Sequence, residues 1–365
     1  MHNIRLVKPY ISFSEVENSF KEVFETGIFT KGVYVKQLVS ELKTLTGAAH
    51  AFLTTSATTA LTLSLKVLNI VPGDEVIVSD FSFPATVNVV EDIGAKPVFA
   101  DVSLKTFNMT PEQLESKITK KTKAVIFVDA LGNPSGIHKI KEICETHSIP
   151  LIEDAACAIG SAEFGKKCGN IADLTCFSFH PRKLLTCGEG GAVTTNNVDL
   201  ATILERKLNH GANGVIGNKL DFVDYGYNYR LPELQAIMLI SQIKKLDDII
   251  LERNNIREQY VERLAELEFI PQQINEKVIY NCQSIVFRVP NTVNRDVLID
   301  YLRSNSIEST IGTYCLSDST YYKNKYDDVQ ENSYKLECNT ITLPCYSGIN
   351  VDYICNMIKH NCLCG

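Results

Sequence analysis

Up to about residue 245 the chain alternates short apolar runs with segments of helical period. The runs are Ala51-Phe52-Leu53-Thr54, Glu75-Val76-Ile77-Val78, Pro97-Val98-Phe99-Ala100, Ala124 to Val128, Pro150-Leu151-Ile152-Glu153 and Leu174 to Phe179. Most are continuous rather than alternating, which predicts strands covered on both faces and hence a mostly parallel sheet. One intervening helix carries Leu61, Leu65 and Leu68 after Thr58. Another opens at Thr110, with Pro111 in the first turn and Gln113 closing a capping box. Pro72-Gly73-Asp74 predicts a turn. From Leu231 to about Leu267 the period predicts one long helix. Beyond it, Val278 to Val289 reads as a strand region, Arg295 to Ser304 as a helix and Val351 to Ile358 as a closing helix. The expected organisation is a large unit over residues 12–245, a smaller α/β unit over 246–365 and an N-terminal arm over 1–11.

The bulk properties narrow the picture. At 365 residues the chain exceeds one average domain, and its 45% apolar and 22% charged content is that of a globular protein. A net charge of -7 argues against a nucleic-acid surface, and Lys117, Lys120, Lys121 and Lys123 read as a solvated approach to the strand that follows. No stretch reaches the length of a membrane span, and Met1-His2-Asn3-Ile4-Arg5 lacks the apolar core of a secretory signal. The 12 cysteines follow no framework spacing, so reduced thiols and a cytoplasmic location are expected. His360, Cys362 and Cys364 have no second ligand pair at zinc spacing, so no metal is expected. The last four residues mimic a prenylation box but have Cys third and Gly last, and the tail reads as a frayed terminus.

Strand–helix alternation places binding loops at the carboxyl ends of the strands. Thr55-Ser56-Ala57-Thr58-Thr59 joins a strand to a helix there. Its small residues, hydroxyls and helix N-terminus suit an anion, or form a plain N-cap cluster. Asp154 ends a strand, where it can face a protonated ring nitrogen or cap a turn. Phe83, in Ser82-Phe83-Pro84-Ala85-Thr86, can stack on a ring or fill a core. Lys183 lies among Phe179, Pro181, Leu184 and Leu185, a partly desolvated setting in which a lysine can act as nucleophile and then base. His180 can tune this lysine or simply pack. Gly188-Glu189-Gly190-Gly191 reads as a tight turn that brings the backbone close to the site. An amine that can form a Schiff base and a carboxylate for a ring nitrogen are the two partners that pyridoxal phosphate (PLP) needs.

The motifs resemble those of the DegT-type sugar-aminotransferase family of fold-type-I PLP enzymes. The likeness runs from Thr30-Lys31-Gly32 through Gly73-Asp74-Glu75-Val76-Ile77, Gly94-Ala95-Lys96-Pro97-Val98-Phe99, Glu153-Asp154-Ala155-Ala156 and Ser178-Phe179-His180-Pro181-Arg182-Lys183 to Gly226-Tyr227-Asn228-Tyr229-Arg230. It implies a large domain with a mostly parallel seven-stranded sheet and a small C-terminal α/β domain. It implies that Lys183 forms the Schiff base with PLP, Asp154 pairs with the ring nitrogen and Phe83 stacks on the ring. The Ala57 amide, Thr58 and Ser178 would hold the phosphate, and Asn228 would reach the phosphate of a neighbouring subunit in a homodimer. Cys157 stands beside the cofactor where the family often has glutamine, a stronger hydrogen-bond partner. The segment Thr313-Tyr314-Cys315 lacks the histidine that many relatives carry just downstream. The implied activity moves an amino group from L-glutamate, through the pyridoxamine form (PMP), to a nucleotide-linked keto-deoxysugar, for amino sugars of surface polysaccharide, such as the O-antigen of lipopolysaccharide, or of a glycoconjugate or glycosylated metabolite. Two alternatives are a PMP-dependent sugar dehydratase, for which the resemblance implies histidine in place of Lys183, and a non-enzymatic regulator on the same fold.

Overall fold

The structure, a computed structural model, describes residues 3–364. One sheet contains strands β1 His50–Thr54, β2 Glu75–Ser79, β3 Lys96–Ala100, β4 Thr122–Val128, β5 Leu151–Asp154, β6 Leu174–Ser178 and β7 Gly191–Thr195. Their spatial order is β1-β7-β6-β5-β4-β2-β3. The pairings from β6 across to β3 are parallel, and β7 runs antiparallel to both β6 and β1. Six of these strands coincide with the predicted apolar runs. β7 was not foreseen, because Gly191-Ala192-Val193-Thr194-Thr195 is too short in large apolar residues to stand out.

Alternate residues explain why the runs are continuous. Val76, Val78, Ile126 and Ile152 pack with Leu61 and Leu65 of helix Ala57–Val67. Their neighbours Ile77, Val125, Phe127 and Leu151 point the other way, against Ile137, Ile140 and Cys144 of helix Ile137–Thr146. Each buried aliphatic contributes about 1.5–3 kcal/mol, so a polar substitution on either face is costly. Two helices not expected from the sequence, Phe13–Thr26 and Val33–Thr46, precede β1. Each stops on a left-handed glycine, Gly27 at φ 68° and Gly47 at φ 76°.

The C-terminal part has its own sheet, in the order Ile270–Pro271, Ile285–Arg288, Thr340–Leu343, Thr310–Ile311. Its core joins Tyr260, Phe287, Leu298, Leu302 and Ile354. The arm lies along this part: the Leu6 amide donates to Glu308 at 2.8 Å, and the Leu6 carbonyl accepts from the Cys345 amide at 3.0 Å.

Three local expectations are corrected. The long helix from Leu231 is two, Glu233–Ile243 and Leu246–Leu264. They part at Lys245, whose ammonium donates to the Tyr10 carbonyl and to Glu15, each at 2.6 Å. The tail is not frayed: helix Val351–Cys364 runs through it, with Cys362 packed on the C-terminal core and the His360 ring 6.3 Å from that of Tyr301. At helix Pro111–Lys117 the Thr110 hydroxyl accepts from the Gln113 amide, one arm of the expected capping box.

Candidate active site

A cavity of about 770 Å³ opens at the carboxyl ends of β1, β2, β4, β5 and β6. It brings together Ala57, Thr58, Phe83, Asp154, Cys157, Ser178 and Lys183, which are spread over more than a hundred residues of sequence. Asn228 is exposed and lies outside the cavity lining. The C-terminal part closes the far side with Thr310 to Tyr314 and Gln283.

The turn between β1 and helix Ala57–Val67 makes an anion cup. The Ser56 hydroxyl accepts from the Thr59 amide at 3.1 Å, and the Thr59 hydroxyl accepts from the Ser56 amide at 3.0 Å. The first-turn amides, those of Ala57 and Thr58, have no partner within the helix and carry the positive end of its dipole. Gly191 explains how the cup is held. It pairs with Thr54 on one side and Ser178 on the other. A Cβ at this position would fall 2.4 Å from the Ser56 carbonyl carbon and 2.7 Å from the Ala57 nitrogen. The Gly-rich run is therefore part turn and part strand: Gly188 bends at φ 87°, and Gly191 starts β7 beneath the cup.

Asp154 is buried at the end of β5. Its Oδ2 accepts from the Thr86 hydroxyl at 2.8 Å and its Oδ1 from the Ala156 amide at 3.2 Å. Burial lifts this carboxyl above its ordinary range, while the Thr86 bond, the Ala156 amide and the charge of Lys183 oppose the rise. A cation placed against it would be strongly favoured. Phe83 is 63% exposed, so it does not fill the core; its ring meets Tyr314 edge-on at 6.2 Å on the cavity wall.

Lys183 donates to Cys157 Sγ at 3.0 Å. Its backbone is fixed by a turn, Lys183 N–H to the His180 carbonyl at 2.8 Å. Gln283 then grips both flanks: its carbonyl accepts from the Leu184 amide at 2.7 Å, and its amide donates to the Arg182 carbonyl at 2.8 Å. His180 Nδ1 accepts from the Arg182 amide at 3.2 Å, so the histidine caps this turn, and burial holds its pKa below the usual value.

The sequence reading did not single out several of these groups. Thr86 sat in the run read only for Phe83. Asn281 and Gln283 lie about a hundred residues from the loops they hold and give no local signal. Asp129 also lines the cavity. It lies with Glu153 and Cys168 in a buried cluster whose ligand atoms fall within 4.8 Å of one another. Both Asp129 oxygens and Glu153 Oε1 lack another partner, and burial pushes both carboxyls up.

The chain resembles known proteins over nearly its whole length. The model of the DegT/DnrJ/EryC1/StrS aminotransferase family matches residues 12–360. GDP-perosamine synthase of Vibrio cholerae is 34% identical over 350 residues, covering 92% of this chain and 93% of the relative. Spr1654 of Streptococcus pneumoniae, described as a sugar aminotransferase and solved in a PLP form, superposes with a TM-score of 0.93 at 28% identity, with 99% of each chain covered. PseC of Helicobacter pylori, at 24% identity and a TM-score of 0.93 with both chains fully covered, shares the fold. Fold and family agree with the expectation from the motifs: the chain is an enzyme of the aminotransferase class and belongs to the DegT/DnrJ/EryC1/StrS family.

Proposed function

We propose that the enzyme binds PLP and transfers an amino group from L-glutamate to a keto carbon of a nucleotide-linked deoxysugar. The observation that carries this reading is the convergence of one lysine amine, one buried carboxylate and one helix N-terminus on a single cavity. These are the groups that the cofactor's aldehyde, ring nitrogen and phosphate require. The similarity to GDP-perosamine synthase supports a sugar nucleotide as acceptor.

When bound, PLP supplies the carbon that carries the amino group and a ring that accepts the substrate's electron pair. Lys183 would take the proton from the substrate carbon that bears the nitrogen and return it to the carbon on the far side of that nitrogen, which requires an amine held within hydrogen-bond reach. Its flanks, gripped by Gln283, meet that requirement. Asp154 would keep a positive ring nitrogen opposite its carboxylate. The Ala57 amide, Thr58 and Ser178 would bind the phosphate, and Phe83 would cover the ring. Cys157 would serve as a weak hydrogen-bond partner to the phenolic oxygen.

Asn228, exposed and outside its own cavity, completes the phosphate site of a second copy, so the active unit is a homodimer. Residues 12–245 form the cofactor-binding unit and residues 246–365 the smaller unit that closes over substrate. Among the described residues no helix is long and apolar enough to cross a membrane. The reaction takes place in the cytoplasm and supplies amino sugars for surface polysaccharide.

Borohydride reduction of the cofactor-loaded protein, followed by digestion, should tag the peptide that contains Lys183. A panel of nucleotide-linked keto-sugars with glutamate should then yield one product with the mass of an amino sugar. A tag on another lysine, or no aminated product from any member of the panel, defeats the proposal.

A further inference from the structure

Cys157 is partly exposed in the cavity, and its sulfur accepts from the Lys183 ammonium at 3.0 Å. Most other described cysteines are buried. One short segment fixes both partners. The Asn281 amide donates to the Cys157 carbonyl at 2.8 Å, the Asn281 side-chain oxygen accepts from the Gln283 amide at 2.9 Å, and the Gln283 side chain holds Arg182 and Leu184 on either side of Lys183. Asn281 is fully buried and Gln283 nearly so. Gly132 packs behind: a Cβ there would fall 2.8 Å from the Cys157 carbonyl. The thiol and the amine are thus presented to each other by a rigid frame.

We infer that Cys157 and Lys183 form an oxidative sulfur–nitrogen cross-link, a modification site that silences the enzyme. The inference rests on the reading of Lys183 as the lysine that carries the cofactor. The co-reactant is a peroxide. In the first step the thiolate sulfur attacks the peroxide, the O–O bond breaks, sulfur is oxidised to the sulfenic acid, and the departing hydroxide takes a proton from the Lys183 ammonium and leaves as water. In the second, the neutral Lys183 amine attacks that sulfur; the S–O bond breaks, the S–N bond forms, and the departing hydroxide leaves with a nitrogen proton as water. Sulfur loses an electron pair to the peroxide, and the protein loses a pair of hydrogens. A thiol reductant reverses the link by attacking sulfur and returning the amine. Sulfenic acids condense readily with a nearby nitrogen, and a thiol that is accessible and faces a cationic side chain is the kind that oxidises first.

The link is gated by the catalytic cycle. While Lys183 is engaged with the cofactor its nitrogen is not free to attack. After the donor has left its amino group on the cofactor, the amine is free and again faces Cys157. Oxidant sensitivity should therefore follow the state of the cofactor.

Holoenzyme in the aldehyde form and holoenzyme converted to the amino form with glutamate are each treated with hydrogen peroxide, alkylated, digested and analysed by mass. The expected product joins the Cys157 and Lys183 peptides, about 2 Da lighter than their sum. It should be at least about tenfold more abundant in the amino form, vanish with dithiothreitol and be absent from Cys157→Ser. Conversion of Cys157 to sulfinic acid with Lys183 unlinked overturns the inference, as does an unmodified Cys157 in the amino form. Borohydride tagging of the aldehyde form before peroxide separates the two readings. A tag at Lys183 there, with no cross-link in the amino form, defeats the cross-link alone. A cross-link of equal yield in both forms, with the tag elsewhere, defeats the cofactor assignment instead.

Discussion

The Thr86 hydroxyl donates to Asp154 Oδ2 at 2.8 Å, and its oxygen lies 2.8 Å from the Ser82 hydroxyl. This puts Thr86, with Ser82 behind it, on the carboxylate that would share a cofactor ring with Phe83. The loop after β2 and the end of β5 are thereby held as one unit. Because burial lifts the Asp154 carboxyl, the Thr86 bond is the largest of the contacts that favour its ionised form, ahead of the Ala156 amide and the charge of Lys183.

Thr86→Val keeps the shape and removes that donor. The Asp154 pKa should rise further, so the acidic limb of the pH–rate profile should move to higher pH. A hydrogen bond to a charged group contributes about 1.5–3 kcal/mol, so a drop in turnover of at least tenfold is expected near the limb. An unmoved limb would show that the Asp154 charge is set by other contacts.

Gln283→Leu removes both grips on the Lys183 loop and leaves the Leu184 amide and the Arg182 carbonyl unpaired. Stability should fall by about 1–3 kcal/mol for the unsatisfied buried Leu184 amide, measured as a lower denaturant midpoint. Turnover should fall more than substrate affinity, since the base is loosened while the binding groups stay. Loss of affinity with unchanged turnover would argue that Gln283 serves substrate and not the lysine.

Gly191→Ala drives a methyl group into the Ser56–Ala57 backbone. Overpacking of this kind costs about 1–3 kcal/mol. The cup should shift and the protein should lose bound cofactor on dialysis faster than the parent, read from its absorbance. Retention equal to the parent would mean that the cup can move without loss of phosphate affinity.

Asp80 anchors the segment that carries Tyr314. It accepts from the Ser317 amide at 2.7 Å, the Ser317 hydroxyl at 2.8 Å and the Cys315 thiol at 3.2 Å, yet burial pushes its carboxyl from 3.8 up to about 7. Folded Asp80 therefore keeps a proton that the unfolded chain has already released. The folded state binds more protons across that window, so this group makes stability fall as pH rises from about 4 to about 7. Asp80→Asn should flatten the dependence of melting temperature on pH in this range, with a ceiling of about 4 kcal/mol. Parallel curves for mutant and parent would remove Asp80 as the source.

The sequence by itself determined six of the seven strands of the large sheet, because a run such as Val76-Ile77-Val78 must be buried on both faces wherever it lies. It also determined the chemical inventory: an amine at Lys183, a carboxylate at the end of a strand and small residues before a helix are local patterns. It could not determine the partners. Thr86 on Asp154, Gln283 on the Lys183 loop and Gly191 beneath the Ser56 backbone are relations between residues far apart in the chain, and their hydrogen bonds and close contacts exist only after the sheet has set its strand order. β7 went unread for the same reason, since its place between β1 and β6, not its own hydrophobicity, makes it a strand. Local pattern decides what a segment can bury; distance and orientation across the fold decide what each polar group meets.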